Sequence, residues 1–156
     1  MFEKYFELPQ LPSQLAPLRQ QNSRLVLTNG CFDLLHIGHV RYLQAAKKQG
    51  THLIIGVNTD RSVNAIKGPS RPLNSEMDRA EVLAALACTD FITLFDQDTA
   101  DELISVLRPD LYLKAGDYSL DTLPERETLL KLGIEVAFMP FIQGHSTTGL
   151  ISRMQS

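Results

Sequence analysis

Short apolar runs alternate with segments of helical periodicity along most of the chain, and this alternation limits the fold more than any other feature. The runs lie at 25–27, 52–57, 91–95, 111–113 and 134–139. Strands that alternate with helices form a parallel sheet with right-handed crossovers and helices on both faces. We therefore predict one α/β domain with a five-stranded parallel sheet over residues 24–156, preceded by a polar lead-in over residues 1–23.

Helix starts are marked by capping residues placed before apolar positions. Ser75 with Asp78, and Thr99 with Glu102, have the spacing of a capping box. The last helix is expected to begin near Ser146, with Leu150, Ile151 and Met154 on its inner face. Further helices are expected around 14–20, after Gly38 and around 124–132. The segment 67–72 is rich in turn-forming residues and is expected to be a flexible loop.

Charge and composition exclude several classes of function. The net charge of −3 argues against the broad basic surface that a general nucleic-acid binder needs. No apolar run approaches the roughly 20 residues that cross a bilayer, and the first residues do not resemble a signal peptide. Two cysteines do not make a disulfide framework. We expect a cytoplasmic protein that binds small phosphorylated ligands, with no nucleic-acid or membrane partner.

Polar segments follow the predicted strands, at 29–39, 58–60, 114–118 and 143–148. In open parallel sheets, ligands bind beyond the carboxyl ends of the strands where the strand order reverses. These segments are therefore predicted to converge on one crevice.

The first of these segments is part of the sequence Thr-Asn-Gly-Cys-Phe-Asp-Leu-Leu-His-Ile-Gly-His, at 28–39. Gly30 is expected to allow a sharp turn, and Gly38 to let a phosphate approach the amides of a helix start. His36 and His39 are expected to lie on one face and to donate to phosphate oxygens. A metal site with the nearby cysteine is an alternative, but no further cluster supplies its remaining ligands.

The last segment contains Gly-His-Ser-Thr-Thr at 144–148, where hydroxyls and amides at a helix start predict a second anion site. The alternative is that Ser146 is merely an N-cap. Lys67 and Arg71 flank Gly-Pro and are interpreted as a mobile phosphate clamp. Arg79 and Lys114 are further candidate cations, although each is alternatively a solvated surface charge.

Asp33 and Asp117 are candidates for positioning Mg²⁺ through water, or equally for orienting basic neighbours. The chain has no phosphate-binding Gly-x-x-x-x-Gly-Lys-Ser/Thr motif, no Gly-x-Gly-x-x-Gly and no nucleophile–base pair. Cys31 fits packing better than nucleophilic attack. These observations favour nucleotidyl transfer, in which a substrate phosphate attacks a nucleoside triphosphate and the protein aligns and neutralises two polyanions.

The segments at 28–39 and 144–148 resemble those of the cytidylyltransferase-like nucleotidyltransferases, which have a Rossmann-like fold and a His-x-Gly-His motif. Together with Gly-Val-Asn-Thr-Asp at 56–60, Lys-Gly-Pro-Ser-Arg-Pro at 67–72 and Lys-Ala-Gly-Asp-Tyr at 114–118, they resemble the D-glycero-β-D-manno-heptose 1-phosphate adenylyltransferases. The resemblance runs from about residue 24 to 154 and departs from the family pattern at Ala115 and His145.

The resemblance implies that ATP and a sugar 1-phosphate are the substrates, that ADP-heptose and pyrophosphate are the products, and that Mg²⁺ is required. It also implies a homo-oligomer and a separate sugar kinase that supplies the substrate. The motifs and the resemblance assign catalytic roles to His36, His39, Lys67 and Arg79; nucleotide binding to Thr28, Asn29, Gly30, Cys31, Phe32, Gly38, Lys114, Gly116, Ser146, Thr147 and Thr148; and substrate binding to Asp33, Asn58, Asp60, Arg71, Asp117 and Tyr118.

Three other functions compete with this interpretation. A cytidylyltransferase acting on glycerol 3-phosphate or a similar phosphate shares the superfamily motifs. An inactive nucleotide-sensing or scaffold domain predicts damaged motifs, whereas the motifs here are intact. An aminoacyl-tRNA synthetase fragment shares His-Ile-Gly-His, but the chain has no Lys-Met-Ser-Lys-Ser segment.

Overall fold

The computed structural model describes residues 2–140 and 144–156, in which five strands form one parallel sheet. The strands are β1 (Leu25–Gly30), β2 (His52–Asn58), β3 (Phe91–Phe95), β4 (Leu111–Ala115) and β5 (Glu135–Met139). They lie in the order β3-β2-β1-β4-β5, so the strand order reverses between β1 and β4. The predicted five-stranded parallel sheet is confirmed.

The α-helices of the described residues cover both faces of this sheet. They are α1 (Leu11–Gln20), α2 (Ile37–Lys47), α3 (Asp60–Lys67), α4 (Glu76–Ala84), α5 (Asp101–Leu107), α6 (Arg126–Leu132) and α7 (Thr147–Gln155). Helices α2 and α4 pack with Val26 on one face, whereas α1, α5 and α6 pack with Leu25 and Leu27 on the other. Successive β1 residues therefore enter different cores, which explains why the strand begins with three consecutive apolar residues.

The first 23 residues are more than a polar lead-in, because parts of this segment belong to the core. Leu11 and Leu15 of α1 are fully buried against the sheet. Tyr5 pairs in parallel with Ile92 at the outer edge of β3, and the amide of Phe6 donates to the Ile92 carbonyl at 3.0 Å. The segment thus covers a sheet edge whose backbone groups would otherwise lack partners.

Three local predictions differ from the structure. Residues 60–67 form α3, so Lys67 ends a helix and does not lie in a flexible loop. Thr99 does not cap α5, because its hydroxyl donates to the Asp101 carboxylate while Ala100 takes the N-cap position. On α7, Met154 is 77% exposed and is not on an inner face. Among the described residues, no helix combines the length and apolar character that a membrane span requires.

Candidate active site

The start of α2 holds His36 and His39 in a reciprocal capping box. Nδ1 of His36, the N-cap residue, accepts a hydrogen bond from the Gly38 amide at 3.1 Å. Nδ1 of His39 accepts one from the His36 amide at 3.3 Å. Because each Nδ1 is an acceptor, the neutral rings carry their proton on Nε2. Both imidazoles therefore offer an N–H donor to a ligand.

The two rings stack with centroids 3.9 Å apart. The sequence predicted that the two side chains lie side by side on one face of a helix. They do lie side by side, but for a different physical reason. His36 lies outside the helix with extended backbone, and the capping hydrogen bonds align the rings. Spacing on a shared helical face is therefore not the cause.

The Phe32 ring packs beside the His39 ring and explains why residue 30 is a glycine. The buried Phe32 ring lies 5.4 Å from the His39 ring, between centroids. A Cβ added to Gly30 would come within 3.1 Å of the Phe32 ring, so the glycine leaves space for it. A sharp turn was predicted at Gly30, and the residue with left-handed backbone in this turn is Phe32, whose φ is +49°.

Both imidazoles are held uncharged near neutral pH. Burial, with smaller contributions from His36 and Lys67, lowers the pKa of His39 to about 4. Burial and then the neighbouring His145 lower the pKa of His36. The start of α2 thus presents neutral donors, close to the positive end of the helix dipole.

The start of α7 lies against the same loop. Thr147 donates its hydroxyl hydrogen to the Leu34 carbonyl at 3.2 Å, and the rings of His36 and His145 lie 6.4 Å apart. The Ser146 hydroxyl caps α7 by accepting a hydrogen bond from the Gly149 amide at 2.9 Å. The Thr148 side chain is exposed. The structure therefore brings the two predicted anion sites together; Gln143 of the predicted segment lies outside the described residues.

Asp33 anchors the loop that carries Arg71. Its buried carboxylate accepts hydrogen bonds from Nε of Arg71 at 2.6 Å and from the amides of Leu73 and Asn74 at 2.8 and 3.0 Å. Burial by itself raises the pKa of Asp33, but these hydrogen bonds outweigh it and lower the pKa overall. Of the two roles predicted for Asp33, this geometry favours the orientation of basic neighbours.

Arg71 keeps its buried Nη2 group for a ligand. Its side chain is 12% exposed, and within the described residues Nη2 has no hydrogen-bond partner. A buried guanidinium nitrogen without a partner is costly, so an anion that reaches it gains a strong contact.

Arg79, Asp60 and Asn58 are engaged in hydrogen bonds within the chain. The Arg79 guanidinium is fully buried and donates to the carbonyls of Cys31 and Asn74, at 2.5 and 3.1 Å, and to the Asp60 carboxylate at 2.8 Å. Nδ2 of Asn58 donates to the Ser62 hydroxyl at 2.9 Å. Direct contact of these three side chains with a ligand stays a prediction.

Two tyrosines that the sequence did not single out fix the end of β1. The Tyr42 hydroxyl lies 2.6 Å from the Thr28 hydroxyl and donates to the Leu113 carbonyl at 3.0 Å. The Tyr112 hydroxyl donates to Oδ1 of Asn29 at 2.6 Å. Each tyrosine occupies an apolar position of its element, and a buried tyrosine hydroxyl needs such a partner. This requirement is the signal that could have identified them.

The segment after β4 follows the strand that lies across the reversal of strand order from β1. Nζ of Lys114 lies 5.3 Å from the centre of the Tyr118 ring. Gly116 has a φ of +110°, which explains why glycine is needed there, while Ala115 is an ordinary strand residue paired with Met139. The side chain of Asp117 is exposed.

Oxygen and sulfur ligands for a metal are scarce around the histidines. Across residues 2–140 and 144–156, no three His, Cys, Asp or Glu side chains are grouped to hold a metal ion. Cys31 is half-buried, its Sγ lies 3.9 Å from Oδ1 of Asn58, and burial raises the pKa of its thiol. A raised pKa disfavours the thiolate that a nucleophile or a metal ligand requires.

A parallel sheet in which the starts of α2 and α7 meet beside two stacked imidazoles fits the nucleotidyltransferases. The model of the family described as cytidylyltransferase-like matches residues 27–152, and the chain belongs to this family. The fold class and the enzyme class predicted from the motifs are confirmed.

The curated relatives that match this chain include bifunctional HldE proteins. The bifunctional protein HldE of Syntrophotalea carbinolica is 48% identical over 136 residues, which cover 87% of this chain. The HldE protein of Magnetococcus marinus is 49% identical over 143 residues, which cover 92% of this chain. The chain spans 28% and 29% of the lengths of these two relatives.

Solved structures agree with the fold. A lipopolysaccharide core biosynthesis protein from Thermoplasma volcanium superposes with a TM-score of 0.65 at 25% identity, covering 79% of this chain and 99% of that one. A pantoate–β-alanine ligase from Francisella tularensis, with a TM-score of 0.60 at 13% identity over 89% of this chain and 67% of that one, shares the fold alone.

Proposed function

We propose that the chain transfers AMP from ATP to D-glycero-β-D-manno-heptose 1-phosphate, giving ADP-heptose and pyrophosphate. The observation that carries this proposal is the meeting of two helix starts, α2 and α7, at the reversal of strand order. Membership of the cytidylyltransferase-like family supports nucleotidyl transfer. Sequence identity of 48% and 49% with two HldE proteins supports heptose 1-phosphate as the sugar substrate. The product would serve lipopolysaccharide core or other surface-glycan synthesis.

In this reaction the protein needs no nucleophile of its own. An oxygen of the sugar phosphate, which already carries negative charge, attacks the α-phosphorus of ATP. The bond from that phosphorus to the oxygen bridging the β-phosphate breaks, and its electron pair leaves with pyrophosphate. The Nε2–H groups of His36 and His39 donate to phosphate oxygens as charge develops on them.

Different basic side chains would bind the two substrates. Lys67 lies close enough to His39 to influence its pKa, and would neutralise the triphosphate. Nη2 of Arg71 would donate to the phosphate of the sugar. Arg79 supports these groups as a positioning residue, since its donors hold the loop that contains Cys31.

The remaining predicted contacts surround the nucleotide. The amides of Thr147 and Thr148, with the Ser146 and Thr148 hydroxyls, would hold the β- and γ-phosphates at the α7 start. Ser146 can still donate its hydroxyl hydrogen while it caps the helix. Lys114, Gly116 and Tyr118 would border the nucleotide or sugar.

The donor set around the triphosphate fits Mg²⁺ only in part. The imidazoles, lysine and amides are hydrogen-bond donors, whereas Mg²⁺ takes oxygen ligands and keeps several waters. Asp33 already accepts several hydrogen bonds, and Asp117 is exposed. Phosphate oxygens and water would therefore be the main ligands, with Asp117 as the better candidate carboxylate. The ion would supply additional charge neutralisation.

A substrate panel tests the proposal. Pyrophosphate release would be measured with ATP or CTP against heptose 1-phosphate in both anomers, other sugar 1-phosphates and glycerol 3-phosphate. We expect turnover with ATP and the β-anomer. Strong preference for CTP with glycerol 3-phosphate would establish the cytidylyltransferase alternative, and binding without any turnover would favour a nucleotide-sensing domain.

The proposal also includes a cytoplasmic homo-oligomer, and a sugar kinase activity that supplies heptose 1-phosphate. The relatives named bifunctional are consistent with a second activity in this reaction sequence. Light scattering coupled to gel filtration would measure the mass of the assembly, and a monomer would contradict the oligomer.

A further inference from the structure

His145 adds a third imidazole to the group formed by His36 and His39. Its ring lies 6.4 Å from that of His36 at an interplanar angle of 27°, and the residue is exposed. Its Cβ lies 3.2 Å from the position that a Cβ on Gly38 would occupy. The side chain therefore stands beside the helix start at which a phosphate would bind.

The position of His145 is set by the contacts of α7. Thr147 fixes the helix start to Leu34, and the Ser146 cap fixes the direction in which the chain enters the helix. These contacts place His145 on the α7 side of the crevice, and His36 lies on the α2 side. An anion between the two helix starts would be reached from both sides.

We propose that His145 binds the departing pyrophosphate portion of the triphosphate, together with the α7 start. This inference rests on the proposed nucleotidyl transfer and adds a residue that the motif comparison treats as a departure. Contact with the β- and γ-phosphates would distinguish His145 from His36 and His39, which are proposed to donate to phosphate oxygens as charge develops during the transfer. His145 is then a determinant of affinity for ATP and pyrophosphate, but not for AMP.

The test compares His145→Ala and His145→Gln with the unaltered chain. Dissociation constants for ATP, AMP and inorganic pyrophosphate would be measured by calorimetry, with Mg²⁺ held constant. We expect His145→Ala to raise the dissociation constants for ATP and pyrophosphate about tenfold, as for one lost hydrogen bond to a charged group. The dissociation constant for AMP should change less than about twofold. Glutamine retains an N–H donor and should recover part of the loss.

Met154→Ala is the control, since this side chain is 77% exposed near the far end of α7, the helix that follows His145, and should leave all three constants unchanged. Unchanged pyrophosphate affinity in His145→Ala, or an equal loss of AMP affinity, would overturn the inference. The binding constants need no sugar substrate. A chain that binds pyrophosphate through His145 but does not turn over heptose 1-phosphate would therefore refute the proposed function and leave the His145 assignment intact.

Discussion

The imidazole rings of His36 and His39 lie 3.9 Å apart because the Nδ1 atom of each accepts a backbone amide hydrogen bond at the start of α2. One nitrogen of each ring is therefore structural, and we propose that the other donates to the ligand. Folding and the proposed catalytic role then depend on different atoms of the same side chains.

Asparagine substitutions can separate the two roles of these histidines. The amide oxygen of asparagine lies near the place of Nδ1, so His36→Asn and His39→Asn should retain the capping hydrogen bonds. Both variants lose the Nε2–H donor. We expect kcat to fall about 100-fold or more, as for the loss of one preorganised donor, with a small change in melting temperature.

Alanine variants at the same positions complete the comparison. His36→Ala and His39→Ala should lose both the cap and the donor, and should therefore be less stable than the asparagine variants by about 1 kcal/mol. Near-normal kcat in His39→Asn, measured at saturating substrates, would show that Nε2–H does not contact developing charge.

Gly38 is predicted to be essential for the position of the His36 ring. A Cβ at this position would lie 2.8 Å from Cε1 and Nδ1 of His36, so Gly38→Ala must displace the imidazole. Alanine favours a helix, so the fold should be retained. We expect turnover to fall about tenfold or more while the unfolding free energy changes by less than about 1 kcal/mol.

Gly133→Ala is the matched control for this variant. Gly133 ends α6 in the left-handed region, with a φ of +64° and no atoms within 4 Å of an added Cβ. Alanine there should cost about 1 kcal/mol of stability while turnover is retained. Equal effects of the two variants on turnover would contradict the specific role of Gly38.

The sequence was sufficient to predict the sheet, because an apolar run marks every strand. Residues such as Val26 and Leu27 enter opposite cores, so each strand contains a run of apolar residues that is easily recognised. The burial of the N-terminal segment was harder to predict. Leu11 and Leu15 are buried through contacts with α5, which lies about 90 positions further along the chain. Local composition does not reveal such contacts.

The site was predictable as a set of segments but not as a set of contacts. The convergence of 28–39 with 144–148 followed from the parallel topology. The buried hydrogen bonds of Asp33 and Arg79 did not, because they join loops distant in sequence and depend on side-chain geometry. A charged residue after a strand has the same local signal whether it binds a ligand or supports a neighbouring loop.

Asp33 is predicted to stabilise the loop and not to bind Mg²⁺. Its carboxylate accepts hydrogen bonds from Arg71 and two amides, so Asp33→Ala should cost about 3 kcal/mol of unfolding free energy, as for a broken buried ion pair. Asp33→Asn should cost less, because it keeps an acceptor. Urea denaturation would measure both changes.

Magnesium titration distinguishes the two roles of Asp33. Asp33→Asn should leave the Mg²⁺ concentration for half-maximal turnover within about twofold of the unaltered chain, because water and phosphate remain the ligands. Asp117→Asn is the comparison variant. A clear increase in the Mg²⁺ requirement of Asp33→Asn, larger than that of Asp117→Asn, would assign the metal to Asp33.

The lowered pKa of His39 predicts a loss of stability in mild acid. The pKa is about 4 in the folded chain and 6.5 in the unfolded one, so between these values the unfolded chain binds a proton that the folded chain does not. The unfolding free energy should therefore rise with pH across this window and level off above pH 6.5. The His39 contribution is at most about 1.4 kcal/mol per pH unit, and less because the ring keeps some solvent contact.

Comparison with His39→Asn isolates this contribution from other acid-titrating groups such as Asp33, whose pKa is also lowered. Unfolding free energies would be measured by urea denaturation at intervals between pH 4 and pH 6.5. The difference between the unaltered chain and His39→Asn should grow in favour of the unaltered chain as pH rises through this range. His36→Asn should show the same trend, since its pKa is lowered in the same direction. Parallel curves for the unaltered chain and His39→Asn would mean that His39 titrates normally in the folded state, and that its ring is a charged rather than a neutral donor in mild acid.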